Sequence, residues 1–308
     1  MHNLSQKTVK SNISFNGIGL HTGNVVDLII KPAQPNNGII FKRTDLKENN
    51  IIIPGVFNVS SANFCTTISN DFGVSVSTIE HLMGALFILG VDNAVIEINN
   101  NEVPILDGSA KVFVEKITQT GLEVSSQPIR IIKINKRIDY VDGSKSISLE
   151  PNNINFEIDF NLEYSNPIIG NQNNHINVYE DDLSDIINSR TFCLYEDIEK
   201  LKTLGLARGG SLENAIVVKE KEVLNKDGLR NKNEFVNHKI LDLAGDFMLS
   251  GYRVLGKISC FHGGHELTNS FIKKLISSEK SFLLTELKDI IISENIASNR
   301  TIRLAASA

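Results

Sequence analysis

The order of patterns along the 308 residues predicts an α+β fold. Strand and helix patterns interleave irregularly, hairpin signals recur, and strands restart after residue 128 once a first strand-rich part has closed. A doubly wound parallel sheet would alternate strand and helix regularly instead. The length suits one large domain or two medium ones. The break falls near Ser125-Ser-Gln-Pro128, so the expected domains are 1–126 and 127–308.

In the first part, Val25-Val-Asp-Leu-Ile-Ile30, Ile51-Ile-Ile53 and Ala94-Val-Ile-Glu-Ile98 are β-rich runs bounded by Gly, Pro, Asn or Asp. Residues 77–89 read as a helix: Ser77-Thr-Ile-Glu80 matches the capping box, and Gly90 is a stop. Asp107-Gly-Ser109 opens a second helix through Phe113, Val114 and Ile117, ending near Gly121. In the second part, 129–134, 137–141, 147–149 and 156–160 are strand runs, and Asp142-Gly143 is a hairpin signal. Helices are expected at 181–188 and 195–204, a strand at 215–218, a long helix at 233–249 and a strand at 254–260. A final helix over 267–277 places Leu267, Phe271, Leu275 and Ile276 at helical spacing.

Apolar residues make up 41% of the chain, enough for a real core. The net charge is -5 and no Lys/Arg cluster is long enough to track a phosphate backbone, which excludes nucleic acid as a partner. The start, Met1-His-Asn-Leu-Ser-Gln-Lys7, lacks an apolar signal core. No apolar run approaches the roughly 20 residues of a membrane span. Cys65, Cys193 and Cys260 are widely spaced and odd in number, so they form no disulfide framework. A reducing cytoplasm is the expected location. No heptad repeat is visible, and a monomer is expected.

Two short stretches carry the chemistry. On a helix, His238 and Asp242 sit four residues apart and project from one face, with Asp246 a turn further on. A catalytic zinc needs three protein ligands from the His and carboxylate set plus an open position. His81 could supply the third ligand, and its neighbour Glu80 could act as the base that activates water. A cap for its own helix is the plainer reading of Glu80, and a surface His–Asp pair that of His238 and Asp242. Against the latter, Leu241, Leu243 and Ala244 make this helix a buried one, where carboxylates are costly unless paired or metal-bound. His262-Gly-Gly-His265 follows a strand, so one histidine, His265 above all, could face the ion as an acid kept protonated by Asp246. His₂Asp with an open position accepts iron(II) as well as zinc.

Gly17-Ile-Gly-Leu-His-Thr-Gly23, Pro104-Ile-Leu-Asp-Gly-Ser109 and Ser189-Arg-Thr-Phe192 are mute singly. Taken in order with Ser77-Thr-Ile-Glu-His-Leu82, Gly209-Gly-Ser211, His238-Lys-Ile-Leu-Asp-Leu-Ala-Gly-Asp246 and Gly264-His265, they resemble the zinc-dependent UDP-3-O-acyl-N-acetylglucosamine deacetylases of lipid A biosynthesis. The resemblance spans almost the whole chain. It implies two similar sheet-and-helix sandwich domains with the active site between them, and removal of the N-acetyl group of UDP-3-O-[(3R)-3-hydroxyacyl]-N-acetylglucosamine with release of acetate. It further implies His81, His238 and Asp242 as zinc ligands, Glu80 as general base, His265 as general acid beside Asp246, and Thr191 as a donor to the oxyanion. Phe192 and Lys239 match substrate contacts, Lys239 to the diphosphate, and Gly210 belongs with them. Residues 193–221 correspond to an insert lining an apolar passage for the acyl chain, here with Ile198, Leu201, Leu204 and Ala207. The chain departs from the pattern at Glu163-Tyr164, where the family has an acidic-Phe pair near the uridine; Tyr164 can still stack on a base. His262 is an extra histidine. The chain stops at Ala308, so no fused dehydratase domain, such as some relatives carry, is expected. The expected partner is a UDP-sugar lipid, met by a protein in transient contact with the inner membrane.

Two rivals stand beside this reading. One is an amidohydrolase with the same zinc machinery acting on a different N-acetyl sugar. The other is a ligand-binding protein with a structural zinc, against which stands the lack of cysteines near the candidate ligands, since closed structural sites are usually Cys-rich.

Overall fold

A computed structural model describes residues 5–287. The termini, including the start read for a signal core and the outer limits of both expected domains, lie outside the described residues. The fold is α+β. Its helices are α1 (Glu80–Leu89), α2 (Lys111–Thr120), α3 (Ser184–Asn188), α4 (Tyr195–Thr203), α5 (Glu234–Phe247) and α6 (His265–Ile276).

The first part builds a five-stranded sheet in the order Ile13–Ile18, Val25–Pro32, Ala94–Ile98, Ile39–Arg43, Ile51–Ile52. Its pairs are antiparallel except Ile39–Arg43 with Ala94–Ile98. Along Val25–Pro32 the inward residues are Val26, Leu28 and Ile30, all fully buried, and their neighbours Val25 and Asp27 face water. This is the period of two that a half-buried strand requires. Helix α2 packs on the sheet through Phe113, whose ring lies 5.0 Å from that of Phe15. Three short strands, Val59–Ser61, Thr67–Ser69 and Ser75–Val76, form a separate antiparallel sheet just ahead of α1.

The second part is organised on one long strand, Arg253–Phe261. Its first residues pair in parallel with Arg130–Ile134, its last in antiparallel with Lys145–Glu150, and Phe156–Glu163 lies parallel to most of it. Gly256 stands where its partner changes, and a Cβ there would meet Leu149 Cδ1 at 2.7 Å. The Asp142-Gly143 signal does join two antiparallel strands, Ile138–Asp142 and Lys145–Glu150, with Gly143 at φ 58°. The segment 192–223, which overlaps the insert expected at 193–221, has its own three-stranded sheet, Phe192–Leu194, Ile216–Lys219 and Glu222–Val223. Strand Leu122–Pro128 spans the expected junction at 126–127 and pairs with Ser5–Val9.

Helix α5 is buried at every position but Lys239. Its apolar residues fill the core on several sides, its buried polar ones gather at the site described below, and α1 packs against it. Two glycines set the spacing. A Cβ on Gly84 would lie 2.7 Å from Leu241 Cδ1, and a Cβ on Gly245 would overlap the Glu80 carbonyl oxygen. The helices therefore touch backbone to backbone, which places Glu80 and His81 against Asp242 and Asp246.

Several expectations need correction. Helix α1 starts at Glu80, with Ile79 as an N-cap lacking a side-chain bond. The capping box is absent: Ser77 Oγ donates to the Asn101 carbonyl at 3.0 Å, and Thr78 takes φ 55°. The helix expected over 181–188 is only Ser184–Asn188, because Asp181 Oδ2 instead accepts from the Asn177 amide at 2.7 Å and closes a turn. The polar strand Asn171–Asn177 was not foreseen. Among the described residues no helix is long and apolar enough to cross a membrane, and the three cysteines are free.

Candidate active site

Three helices converge on one buried cluster. The N-terminus of α1 supplies Glu80 and His81, the middle of α5 supplies His238, Asp242 and Asp246, and the first residue of α6 is His265. All six are buried. The His81, His238 and Asp242 donor atoms lie within 4.8 Å of one another.

The donor set fits a divalent cation on grounds internal to the site. His238 Nδ1 lies 3.1 Å from the Ser189 carbonyl oxygen, which can only accept, so Nδ1 carries the proton. Nε2 then presents a lone pair toward Asp242 Oδ1 at 3.3 Å, and His81 Nε2 faces the same oxygen at 3.6 Å. That oxygen is buried without a hydrogen-bond partner. Lone pairs facing one another out of water are costly unless a cation lies among them. Burial lowers His81 and pushes His238 down to about 3, both against the pull of Asp242, so both imidazoles are neutral, as metal ligation requires. Burial opposes the charge on Asp242, but the cationic Lys239 and His265 beside it prevail and hold it well below the usual carboxylate range. Lys239 Nζ donates to Asp242 Oδ2 at 3.0 Å.

A second chain of contacts borders this trio. Burial, together with Asp242 and Asp246 and against His265, pushes Glu80 up to about 7. Burial works against a charged His265, yet Asp246, Glu80 and Asp242 hold it up to about 10. Its Nδ1 donates to Asp246 Oδ2 at 2.8 Å, and its Nε2 lies 3.7 Å from Glu80 Oε1. A carboxylate near neutral pH beside a cationic imidazole is the pairing that general base and general acid work calls for.

Sequence reasoning missed the residue that joins them. Thr66 donates its amide to Glu80 Oε2 at 3.1 Å and its hydroxyl to Asp246 Oδ1 at 2.7 Å. A lone threonine in a loop carries no spacing signal. Also missed was the buried pair that fixes the Ser189–Thr191 turn: Arg190 Nε donates to Glu234 Oε1 at 2.8 Å and its Nη2 to Oε2 at 3.1 Å, with Glu234 fully buried. This pair holds the carbonyl that orients His238, and with it Thr191, whose amide donates to Gly108 O at 2.8 Å.

The remaining predicted residues form two groups. Phe192 links to the cluster, its ring 6.4 Å from His238 and 5.6 Å below the Lys239 ammonium. Tyr164 sets its ring edge-on to Phe192 at 5.9 Å, and His262 stacks on Tyr164 at 6.3 Å, so the extra histidine extends an aromatic wall. Ile198, Ala207 and Gly210 stand apart, on α4 and the loop after it. Helix α4 buries none of its residues: Ile198 and Leu201 are half-buried, and Leu204 just beyond it is 56% exposed. Ala207 and Gly210 meet the loop 17–23, where the Ala207 amide donates to His21 Nδ1 at 3.4 Å.

Comparison with known proteins places the chain among relatives of a single name. A family model for UDP-3-O-acyl N-acetylglycosamine deacetylases matches residues 6–277. A UDP-3-O-acyl-N-acetylglucosamine deacetylase of Haemophilus ducreyi is 38% identical over 295 residues, covering 93% of this chain and 94% of its own. Proteins of the same name from Shewanella violacea and Syntrophotalea carbinolica are 41% and 43% identical, covering 92% and 91% of this chain and 93% and 91% of their own.

Proposed function

This chain belongs to the UDP-3-O-acyl N-acetylglycosamine deacetylase family, a family of metal-dependent enzymes that hydrolyse an amide, and from that premise we propose that it removes the N-acetyl group of UDP-3-O-[(3R)-3-hydroxyacyl]-N-acetylglucosamine. Acetate is the second product, and the step is an early committed one in lipid A biosynthesis. The observation that carries the reading is the buried, unpartnered Asp242 Oδ1 facing two imidazole nitrogens.

His81, His238 and Asp242 hold the cation, zinc or iron(II). When bound, it supplies Lewis-acid polarisation of the acetyl carbonyl and lowers the pKa of a water toward about 7. The protein does the rest. Ser189 O keeps the His238 ring in the ligating tautomer. Glu80 accepts the proton of the attacking water. The Thr191 hydroxyl donates to the oxygen that becomes negative in the tetrahedral state. His265, held by Asp246 at Nδ1, passes its Nε2 proton to the departing glucosamine nitrogen, so the amine leaves neutral and acetate follows.

Specificity comes from two directions. Phe192 and Tyr164 offer faces to the uridine end, and Lys239 offers charge to the diphosphate. Ile198, Ala207 and Gly210 line the passage for the acyl chain, where each buried methylene contributes about 0.8 kcal/mol. A cytoplasmic monomer with transient contact at the inner membrane face, divided into domains near 126–127, belongs to the same reading. The test is acetate release from the UDP-acyl sugar with and without a chelator. Release that stops with chelator and returns with zinc supports the reading; release that chelator leaves untouched removes it.

A further inference from the structure

Glu102 is fully buried, and its carboxylate gathers four donors. Oε1 accepts from the His21 amide at 2.7 Å and from the Thr78 hydroxyl at 3.0 Å. Oε2 accepts from the Thr22 amide at 2.8 Å and the Thr22 hydroxyl at 2.6 Å. A carboxyl group kept from water is costly unless its oxygens are met in this way. The four donors come from two places. Thr78 is two residues ahead of Glu80, in the segment that leads into α1, whereas His21 and Thr22 belong to the loop 17–23.

That loop holds the tip of the insert. The Gly209 amide donates to Leu20 O at 3.0 Å and the Arg208 amide to His21 O at 3.3 Å. A Cβ on Gly209 would overlap the Gly19 carbonyl oxygen, so the two backbones are in direct contact. Because α4 buries nothing of its own, the insert is fixed at its base by the strands Phe192–Leu194 and Ile216–Lys219 and at its tip by the loop 17–23.

We propose that Glu102 is a positioning residue for acyl-chain specificity: its carboxylate clamps the loop 17–23 to the segment that leads into α1 and so sets the distance from the insert residues 207–210 to the cation site. The proposal rests on the acyl substrate assigned above. A fixed distance is what allows a passage to measure chain length, because a wall that drifts loses its contacts with the far methylenes first.

Glu102→Gln tests the clamp selectively. The amide keeps an oxygen for the His21 amide and the Thr78 hydroxyl, but turns an NH₂ group toward the two Thr22 donors. With the zinc-loaded full chain and UDP-3-O-acyl-N-acetylglucosamines of increasing acyl length, KM for the longest chain rises about tenfold, the order expected when a charge-assisted hydrogen bond is lost. The defect shrinks as the chain shortens, and kcat changes less than KM. Thr22→Val, which removes one donor from a partly exposed residue, gives a smaller shift of the same kind, and Thr22→Ser restores the wild-type dependence; this pair decides the matter if Glu102→Gln does not fold. An equal loss at every chain length, or an unchanged dependence in both Glu102→Gln and Thr22→Val, overturns the clamp. If the wild type releases acetate from none of these compounds, the assigned reaction fails and the clamp's acyl role with it. A wild type that works beside variants with unaltered acyl dependence sinks the clamp alone.

Discussion

Thr66 ties Glu80 to Asp246: its amide donates to one carboxylate at 3.1 Å and its hydroxyl to the other at 2.7 Å. The proposed base and the partner of the proposed acid are thus fixed to one residue. Thr66→Val keeps the shape and the amide but removes the hydroxyl. Asp246 then loses one of its two side-chain partners, and kcat is expected to fall about tenfold with KM little changed. Thr66→Ser should restore the rate. Steady-state kinetics of the three proteins checks this, and a Val variant as fast as wild type shows that the bond does not matter to the reaction.

The pH profile should be a bell. Glu80 works deprotonated, so activity rises through about 7. His265 works protonated, so activity falls as pH passes about 10. Asp246 is the strongest of the groups that raise His265, so Asp246→Asn should bring the alkaline limb to lower pH. In His265→Ala that limb should vanish. Profiles of kcat/KM against pH read both, and an unmoved alkaline limb in His265→Ala assigns it to another group.

Glu80 and the trio should separate cleanly. Glu80→Ala is expected to retain the cation and lose turnover about 10²–10⁴-fold. Asp242→Ala should lose the cation itself, because the trio is left with two neutral donors. Metal content by mass spectrometry beside acetate release distinguishes the two outcomes; a Glu80→Ala protein that holds metal and turns over normally takes Glu80 out of the chemistry.

The glycines between α1 and α5 should differ in tolerance. Gly245→Ala drives a methyl into the Glu80 carbonyl, a backbone atom that cannot step aside, and should cost about 1–3 kcal/mol of stability along with activity. Gly84→Ala meets first the Leu241 side chain, which can turn away, and should cost less. Thermal unfolding of the two variants decides the order.

How much of this was legible depended on what kind of interaction fixes each residue. His238 and Asp242 could be read because a helix turns their four-residue spacing into proximity, and the apolar residues around them marked the helix as buried. Helix α2 and the hairpin at Asp142-Gly143 followed from local periodicity and turn chemistry. The start of α1 did not. The Ser77 amide and hydroxyl both donate to the Asn101 carbonyl, in the bend after Ala94–Ile98, so the amide that Glu80 would have capped was already taken. Strand Asn171–Asn177 carries Asn, Gln and His where an apolar alternation was sought, since it pairs on one side only and forms an edge. Thr66, Glu102 and Arg190 act through partners 14 to 180 residues away in sequence, and no pattern within a segment announces that.

The central claim is that His81, His238 and Asp242 share one cation. Anomalous diffraction at the zinc absorption edge from crystals grown with zinc tests it directly. The account predicts a single strong peak about 2.0–2.2 Å from His81 Nε2, His238 Nε2 and an Asp242 oxygen. A zinc peak bound elsewhere, with none among these three residues in a protein that still releases acetate, would contradict it.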